Sequence, residues 1–462
     1  MKSPLRGPLQ PVERMPCRSD FCARLDSACT ARTHQASGNQ PGRRKSREGR
    51  QPVPGLPDFK EPTLPATESQ PAKRNPWRIF AAALIVAAGS VFVAGVQYAT
   101  QTDEQATERD FIEFWAIGQQ LAHHANPYDV PAIVRLEQSA GLGANQPRIS
   151  LSPPAVLFPM LPLGLMRPKT GRIAWFLTIM GCLALSLWLL WRMHGRPDNR
   201  LHLFGLVFAP VIVCVVSGQL SVFLLTGIVL FLFLHRSRAA LAGAALLPCA
   251  LKPHLFLVFA LVLLLWAVYR RAFRVLAGFL VALIASCAIT LYFDPRAWPQ
   301  YLAMMRQTQV MQVFIPTFGA ALRYLIDRRA AGWQWAPLAM GSLWALWYFW
   351  TRRNRWEWMD QGLILLVVSD VCAPYGYFTD ECILLPFVLA GLYCAAESKR
   401  SWVPLAVIDA AAMIEAYAQV NIISPWYLWT VPAWVGWYLY ATRGPRGSAG
   451  REEARSATIE ME

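Results

Sequence analysis

The chain has 462 residues, of which 55% are apolar and only 16% charged, with 19 Trp and 23 Phe, a balance that excludes a soluble protein of this size. Mean hydropathy is +0.29 even with a long polar N-terminal stretch in the average. The net charge of +15 does not imply nucleic acid: Arg and Lys sit in the N-terminal tail and in short connectors between apolar runs, the pattern of the positive-inside rule.

Residues 1–76 are rich in Pro, Arg, Ser and Gln without apolar periodicity, and are expected to be a disordered, basic cytoplasmic tail held inside by Arg43-Arg44-Lys45 and Lys73-Arg74. Cys17, Cys22 and Cys29 in it lack zinc-ligand spacing, while Cys182, Cys214, Cys287 and Cys394 lie in apolar runs as small hydrophobes. The membrane domain is read as 77–442, and 443–462 as a second short cytoplasmic tail. Its first span is expected from Trp77 to Ala99, close to the roughly 20 residues a bilayer requires.

The polar stretch from Gln101 to Ser150 then lies outside, with amphipathic helical spacing over 109–123 and 130–140 suited to the membrane surface. Residues 151–166 carry Pro153, Pro154, Pro159 and Pro162 and read as a re-entrant or interfacial piece. Further spans are expected at 171–192, 201–217, 219–235, 239–251, 254–269, 273–293, 333–351, 359–374, 380–396, 402–422 and 425–441. The result is an all-α polytopic membrane protein, a bundle of about ten to thirteen transmembrane helices with amphipathic outer-loop helices. In this register the basic connectors 192–200, 235–238, 270–274, 352–355, 399–400 and 443–446 all fall inside; only 167–172 falls outside. A crossing at 151–166 would reverse every later one.

The same register sends the unusual polar motifs to the outer side: Asp110-Phe111-Ile112-Glu113-Phe114-Trp115, Ser152-Pro153-Pro154, Gly218-Gln219, Lys252-Pro253-His254 and Tyr375-Gly376-Tyr377-Phe378-Thr379-Asp380. Asp110 and Glu113 are one helical turn apart and can face one cavity, Asp110 as a general base toward an acceptor hydroxyl; a solvated helix start is the plainer reading. Lys252 is a point charge for a phosphate, with His254 as second donor, against a Lys snorkelling to the interface. Gln219 is read as a partner for sugar hydroxyls or as glue between helices. Trp115, Tyr128 in the Asn126-Pro127-Tyr128-Asp129 loop, Tyr375 and Tyr377 offer rings for a sugar, with Asp380 and Glu113 as polar contacts; an interfacial aromatic belt is the alternative. Asp370, Asp409 and Glu415 fall within apolar runs, where a carboxylate is costly without a partner. No nucleotide-binding motif accompanies them, so the donor is expected to be lipid-linked.

The order of these motifs, a first span, the DFIEFW stretch, Asn126-Pro127-Tyr128, Ser152-Pro153-Pro154 running into Pro162-Leu163, Gly218-Gln219, Lys252-Pro253 and a late Pro-Tyr block, resembles glycosyltransferase family 87 over about residues 77–441. That family groups GT-C-type membrane enzymes, among them polyprenol-phosphate-mannose-dependent mannosyltransferases. The resemblance implies a GT-C-like bundle and Asp110 as catalytic base, with Lys252 and His254 handling the donor phosphate. Two departures touch the substrate contacts: Ser152 stands where relatives carry Tyr before Pro-Pro, and Ala373-Pro374-Tyr375 replaces a Ser-Pro motif. The expected reaction is inverting transfer of a hexose, mannose first, from a polyprenyl-phosphate sugar to an extracytoplasmic glycolipid or glycan. The lipid-linked donor is a co-substrate and no cofactor or metal is expected; the partners are that donor, the acceptor and the lipid bilayer, not nucleic acid. The expected location is a bacterial-type plasma membrane, with both termini cytoplasmic and the site outside. The rivals are a secondary transporter, which the absence of an internal repeat argues against, and a lipid-linked oligosaccharide ligase, for which the late loops are short.

Overall fold

Proline decides where most helical pieces of this chain begin. Its nitrogen has no hydrogen to donate, so it fits the first turn of a helix and interrupts later ones. The computed structural model of the chain describes residues 76–99, 110–141, 151–307, 315–418 and 424–443. Every described element is helical: α1 Pro76–Ala99, α2 Phe111–Ala122, α3 Val130–Ser139, α4 Pro168–Met193, α5 Ala209–Ser217, α6 Ser221–Leu234, α7 Ala239–Ala245, α8 Leu257–Tyr269, α9 Phe273–Phe293, α10 Ala297–Gln307, α11 Phe318–Ile326, α12 Ala336–Arg352, α13 Leu363–Val371, α14 Leu385–Glu397, α15 Val403–Tyr417 and α16 Thr430–Thr442. Of the tails expected over 1–76 and 443–462, residues 1–75 and 444–462 lie outside the described residues.

Among these residues, Pro168–Met193, Phe273–Phe293 and the composite Phe378–Glu397 are long and apolar enough to cross a membrane. Several other expected spans are divided. Residues 201–217 form the 3-10 turn Leu201–Leu206 and then α5, because Phe208 is extended ahead of Pro210. Residues 239–251 form α7 and a 3-10 turn, Leu247–Leu251, begun at Pro248. The span expected from 254 starts at Leu257, after the turn Pro253–Leu255, which leaves Lys252 and His254 in the connector. Near the C-terminus, 3-10 turns Phe378–Leu384 and Pro425–Trp429 lead into α14 and α16.

The proline-rich stretch 151–166 forms no continuous helix. It folds as the turns Pro154–Val156, Phe158–Met160 and Leu161–Gly164. Against it packs α2, which falls within the helical stretch expected over 109–123. Eight of its twelve residues are buried inside the protein. The close approach depends on two glycines: a Cβ on Gly118 would strike the Met160 carbonyl, and one on Gly164 the backbone of Gly118. The region from Asp294 to Gly332, for which the sequence offered no element, contains α10 and α11.

Candidate functional site

The site is assembled where α2, the α5–α6 junction, the Lys252 connector and the loop after α13 meet. Asp110 immediately precedes α2, and its backbone N–H donates to the Ser217 carbonyl at the end of α5, 3.1 Å away. α5 is closed by Gly218 at φ +72, a left-handed conformation that an L side chain rarely adopts. The Trp175 indole donates to the Gly218 carbonyl at 2.8 Å and secures this turn from α4. The chain reverses there, and the Gln219 side chain returns to Asp110: its amide nitrogen donates to the Asp110 carboxylate.

The amide oxygen of Gln219 faces the other way, 3.4 Å from Lys252 Nζ. Lys252 in turn lies 2.6 Å from Asp380 Oδ1, with the two side chains 12% and 1% exposed. Asp380 also accepts from the Ser221 hydroxyl at 2.5 Å and from the Tyr377 backbone N–H at 3.0 Å. Both carboxylate oxygens are thereby satisfied, as a buried charge requires. Burial alone would lower the Lys252 pKa, but the Asp380 carboxylate outweighs it and holds the ammonium above its ordinary value. The result is one polar chain, Asp110 to Gln219 to Lys252 to Asp380, joining residues far apart in sequence.

Aromatic groups form its flank. The Tyr375 and Tyr377 hydroxyls hydrogen-bond each other, and Lys252 Nζ lies 5.7 Å from the centre of the Tyr377 ring. The His254 ring meets Tyr375 edge-on at 4.9 Å. Burial raises both phenol pKa values, and the Glu113 carboxylate adds to the rise, which brings Glu113 to this same group. His254 is pushed down to about 4 by burial, so its ring is neutral at pH 7. Its Nε2 is buried and has no hydrogen-bond partner. A neutral imidazole still donates from one nitrogen, but it adds no positive charge.

Eight of the ten residues singled out in the sequence converge: Asp110, Glu113, Gln219, Lys252, His254, Tyr375, Tyr377 and Asp380. Two lie apart from this cluster. Trp115 is buried, and its indole donates to the Met166 carbonyl at 2.9 Å. Tyr128 is buried as well and donates to the Ser152 carbonyl at 2.8 Å, so it ties the outer loop to the proline-rich turns. Both ends of the Gln219 amide face protein groups, as the reading of it as glue between helices expects.

Sequence reasoning missed a supporting strut. Arg323 of α11 and Gln334 are 3% and 1% exposed. Arg323 Nη1 donates to Gln334 Oε1 at 2.8 Å, and Gln334 Nε2 donates to the Pro374 carbonyl at 2.6 Å. This fixes the bend that carries Tyr375 and Tyr377. Nothing in the local pattern marked either residue, since both belong to stretches whose partner lies 40 or more residues away or on another turn.

Residues 151–369 match the model of glycosyltransferase family 87. The matched segment contains Gln219, Lys252 and His254, whereas Asp110, Glu113, Tyr375, Tyr377 and Asp380 lie outside it. No curated protein and no solved structure matches the chain.

Proposed function

From a chain that belongs to glycosyltransferase family 87 over residues 151–369, and is thus a membrane glycosyltransferase, we propose a specific reaction. The enzyme transfers a hexose, mannose in the first instance, from a polyprenyl-phosphate donor to a glycolipid or glycan acceptor on the extracytoplasmic face. The observation that carries this reading is the hydrogen-bonded chain from Asp110 through Gln219 to the buried Lys252–Asp380 pair. It sets a carboxylate beside a shielded cation in one polar cluster flanked by two tyrosines.

In the proposed step the acceptor hydroxyl oxygen bonds to the anomeric carbon on the face opposite the phosphate, which inverts the configuration. The bond from that carbon to the phosphate oxygen breaks, and its electron pair leaves with the polyprenyl phosphate. Asp110 takes the hydroxyl proton; Gln219 holds the carboxylate in place for this. Lys252 has three N–H donors; Asp380 takes the shortest contact, and the long ones to Gln219 and Ser221, both 3.4 Å, are those a phosphate oxygen would replace. His254, neutral and buried beside it, presents an unpartnered ring nitrogen as a second contact. A phosphate departs readily, so the reaction needs little acid assistance. Tyr375 and Tyr377 supply rings for the apolar face of a sugar.

The experiment compares membranes holding the wild-type chain or Asp110→Asn, supplied with labelled polyprenyl-phosphate mannose and extracted for labelled glycolipid. Loss of the base should lower transfer by about 10²- to 10⁴-fold with the folded protein intact. Wild-type membranes that transfer no sugar from any polyprenyl phosphate would remove the donor assignment. Undiminished transfer by Asp110→Asn would remove the base.

A further inference from the structure

α10 carries an apolar stripe on its outer side. Trp298, Leu302 and Met305, spaced i, i+4 and i+7, are 37%, 49% and 37% exposed. This spacing sets them side by side on one helical face. A neighbouring face, turned by about 100°, holds the helix to the protein: Ala297 and Met304 are buried, and the Tyr301 hydroxyl donates to the Leu151 carbonyl at 3.3 Å. The stripe is therefore not a core face that has failed to pack. A separate face of the same helix does the packing.

Its position follows from α9. That helix is long and apolar enough to cross a membrane, and only 22% of its most apolar window is buried. Leu280, Val281, Ile284, Ile289 and Tyr292 are all exposed along it. The chain leaves α9 at Phe293 and turns on Asp294, whose backbone oxygen accepts from the Ala297 N–H at 3.1 Å and whose carboxylate accepts from the Arg296 N–H at 3.0 Å. α10 thus begins within four residues of the end of α9. It then folds back, because the Trp298 indole donates to Cys287 Sγ at 3.4 Å. Cys287 lies six residues inside α9, about 9 Å from its end at the rise of an α-helix. The Trp298 ring thus lies beside the last turns of α9, a helix long and apolar enough to cross a membrane.

We propose that α10 is a membrane-embedded interfacial helix whose Trp298, Leu302 and Met305 stripe is covered by the acyl chains of the bilayer. Water would leave a contiguous apolar face unburied at a depth where its neighbour α9 is already in lipid. Lipid completes both surfaces at once, with the Trp298 ring at the boundary where indoles accumulate. Through Tyr301 the helix also braces the proline-rich turns from the lipid side. The proposal rests on the membrane reading of the chain and is independent of which sugar is transferred.

The test is a photo-crosslink in the full chain reconstituted in phosphatidylcholine vesicles, with p-benzoylphenylalanine replacing Leu302. A parallel protein carries it at Met305, and a reference carries it at the exposed Gln138 of α3. Both α10 proteins should fold, since the replaced side chains point out of the protein. Lipid adducts identified by mass on the tryptic peptide 297–306 should exceed those at Gln138 by about tenfold, as expected of a probe in the water-free layer. Adducts to a second copy of the chain would show that protein covers the stripe, and would overturn the proposal. So would adduct levels equal to those at Gln138, which would place α10 in water.

Discussion

Lys252 and Asp380 form the most consequential pair in the molecule, and their burial changes how mutations there must be read. The pair is separated by 2.6 Å, and Asp380 is 1% exposed at its side chain. Removing the ammonium leaves a buried carboxylate with no counter-charge, which costs about 3–5 kcal/mol. Lys252→Met should therefore lower the thermal midpoint strongly, apart from any effect on phosphate. The double variant Lys252→Met with Asp380→Asn leaves a neutral amide whose oxygen accepts from the Tyr377 N–H and whose NH2 donates to the Ser221 hydroxyl, and should recover most of that loss. Thermal unfolding of the purified protein checks this. If the double variant is as unstable as Lys252→Met alone, the charge balance is not what holds the pair. If it is stable and still fails to use the donor, the defect belongs to phosphate binding.

At the scale of elements, the strut from α11 to the tyrosine loop makes a separate prediction. Gln334 accepts from Arg323 and donates to the Pro374 carbonyl. Gln334→Glu keeps the acceptor for Arg323 and removes the donor to Pro374, so it isolates the second contact. Leaving a buried carbonyl without its donor costs about 1–3 kcal/mol. Hydrogen exchange followed by mass spectrometry should rise in peptides covering 373–384 and stay constant in α14. A uniform rise through α14 would mean that the strut supports the whole bundle, not the loop. Much of this scale was legible beforehand. α9 runs from Phe273 to Phe293, the span expected from its apolar run. The breaks at Pro210, Pro248 and Pro386 were less so, because a proline near the start of a run does not say whether the chain before it is a 3-10 turn or a helix. The strut was illegible: Arg323 falls where no element was expected and Gln334 at the start of the expected span 333–351, and only the folded chain brings them to Pro374. For the site, a charge beside an apolar run needs a partner, which is why Asp110, Lys252 and Asp380 stood out. Trp115 and Tyr128 show the limit of that logic. An aromatic ring near a polar motif can turn to either face, and these two turn inward to carbonyls.

At the scale of the whole molecule, the connectors sort into two groups by contact as well as by charge. Arg236 pairs with Glu357, Arg270 donates to the Asn354 carbonyl at 2.9 Å, and Arg400 donates to the Tyr440 and Arg443 carbonyls. These join basic connectors with one another. The connectors carrying Asp110, Gln219, Lys252 and Tyr377 join among themselves as the site. By the positive-inside rule we propose that the first group is cytoplasmic and the site lies on the other face. In intact cells a membrane-impermeant maleimide should label Gln138→Cys in α3, whose neighbours include the site helix α2. Arg355→Cys should be labelled only after permeabilisation. Both proteins carry serine at their native cysteines. The reverse pattern would put the site in the cytoplasm, where water-soluble nucleotide sugars are at hand. A lipid-linked donor would then lose its topological argument even though the match of residues 151–369 to the family model stood.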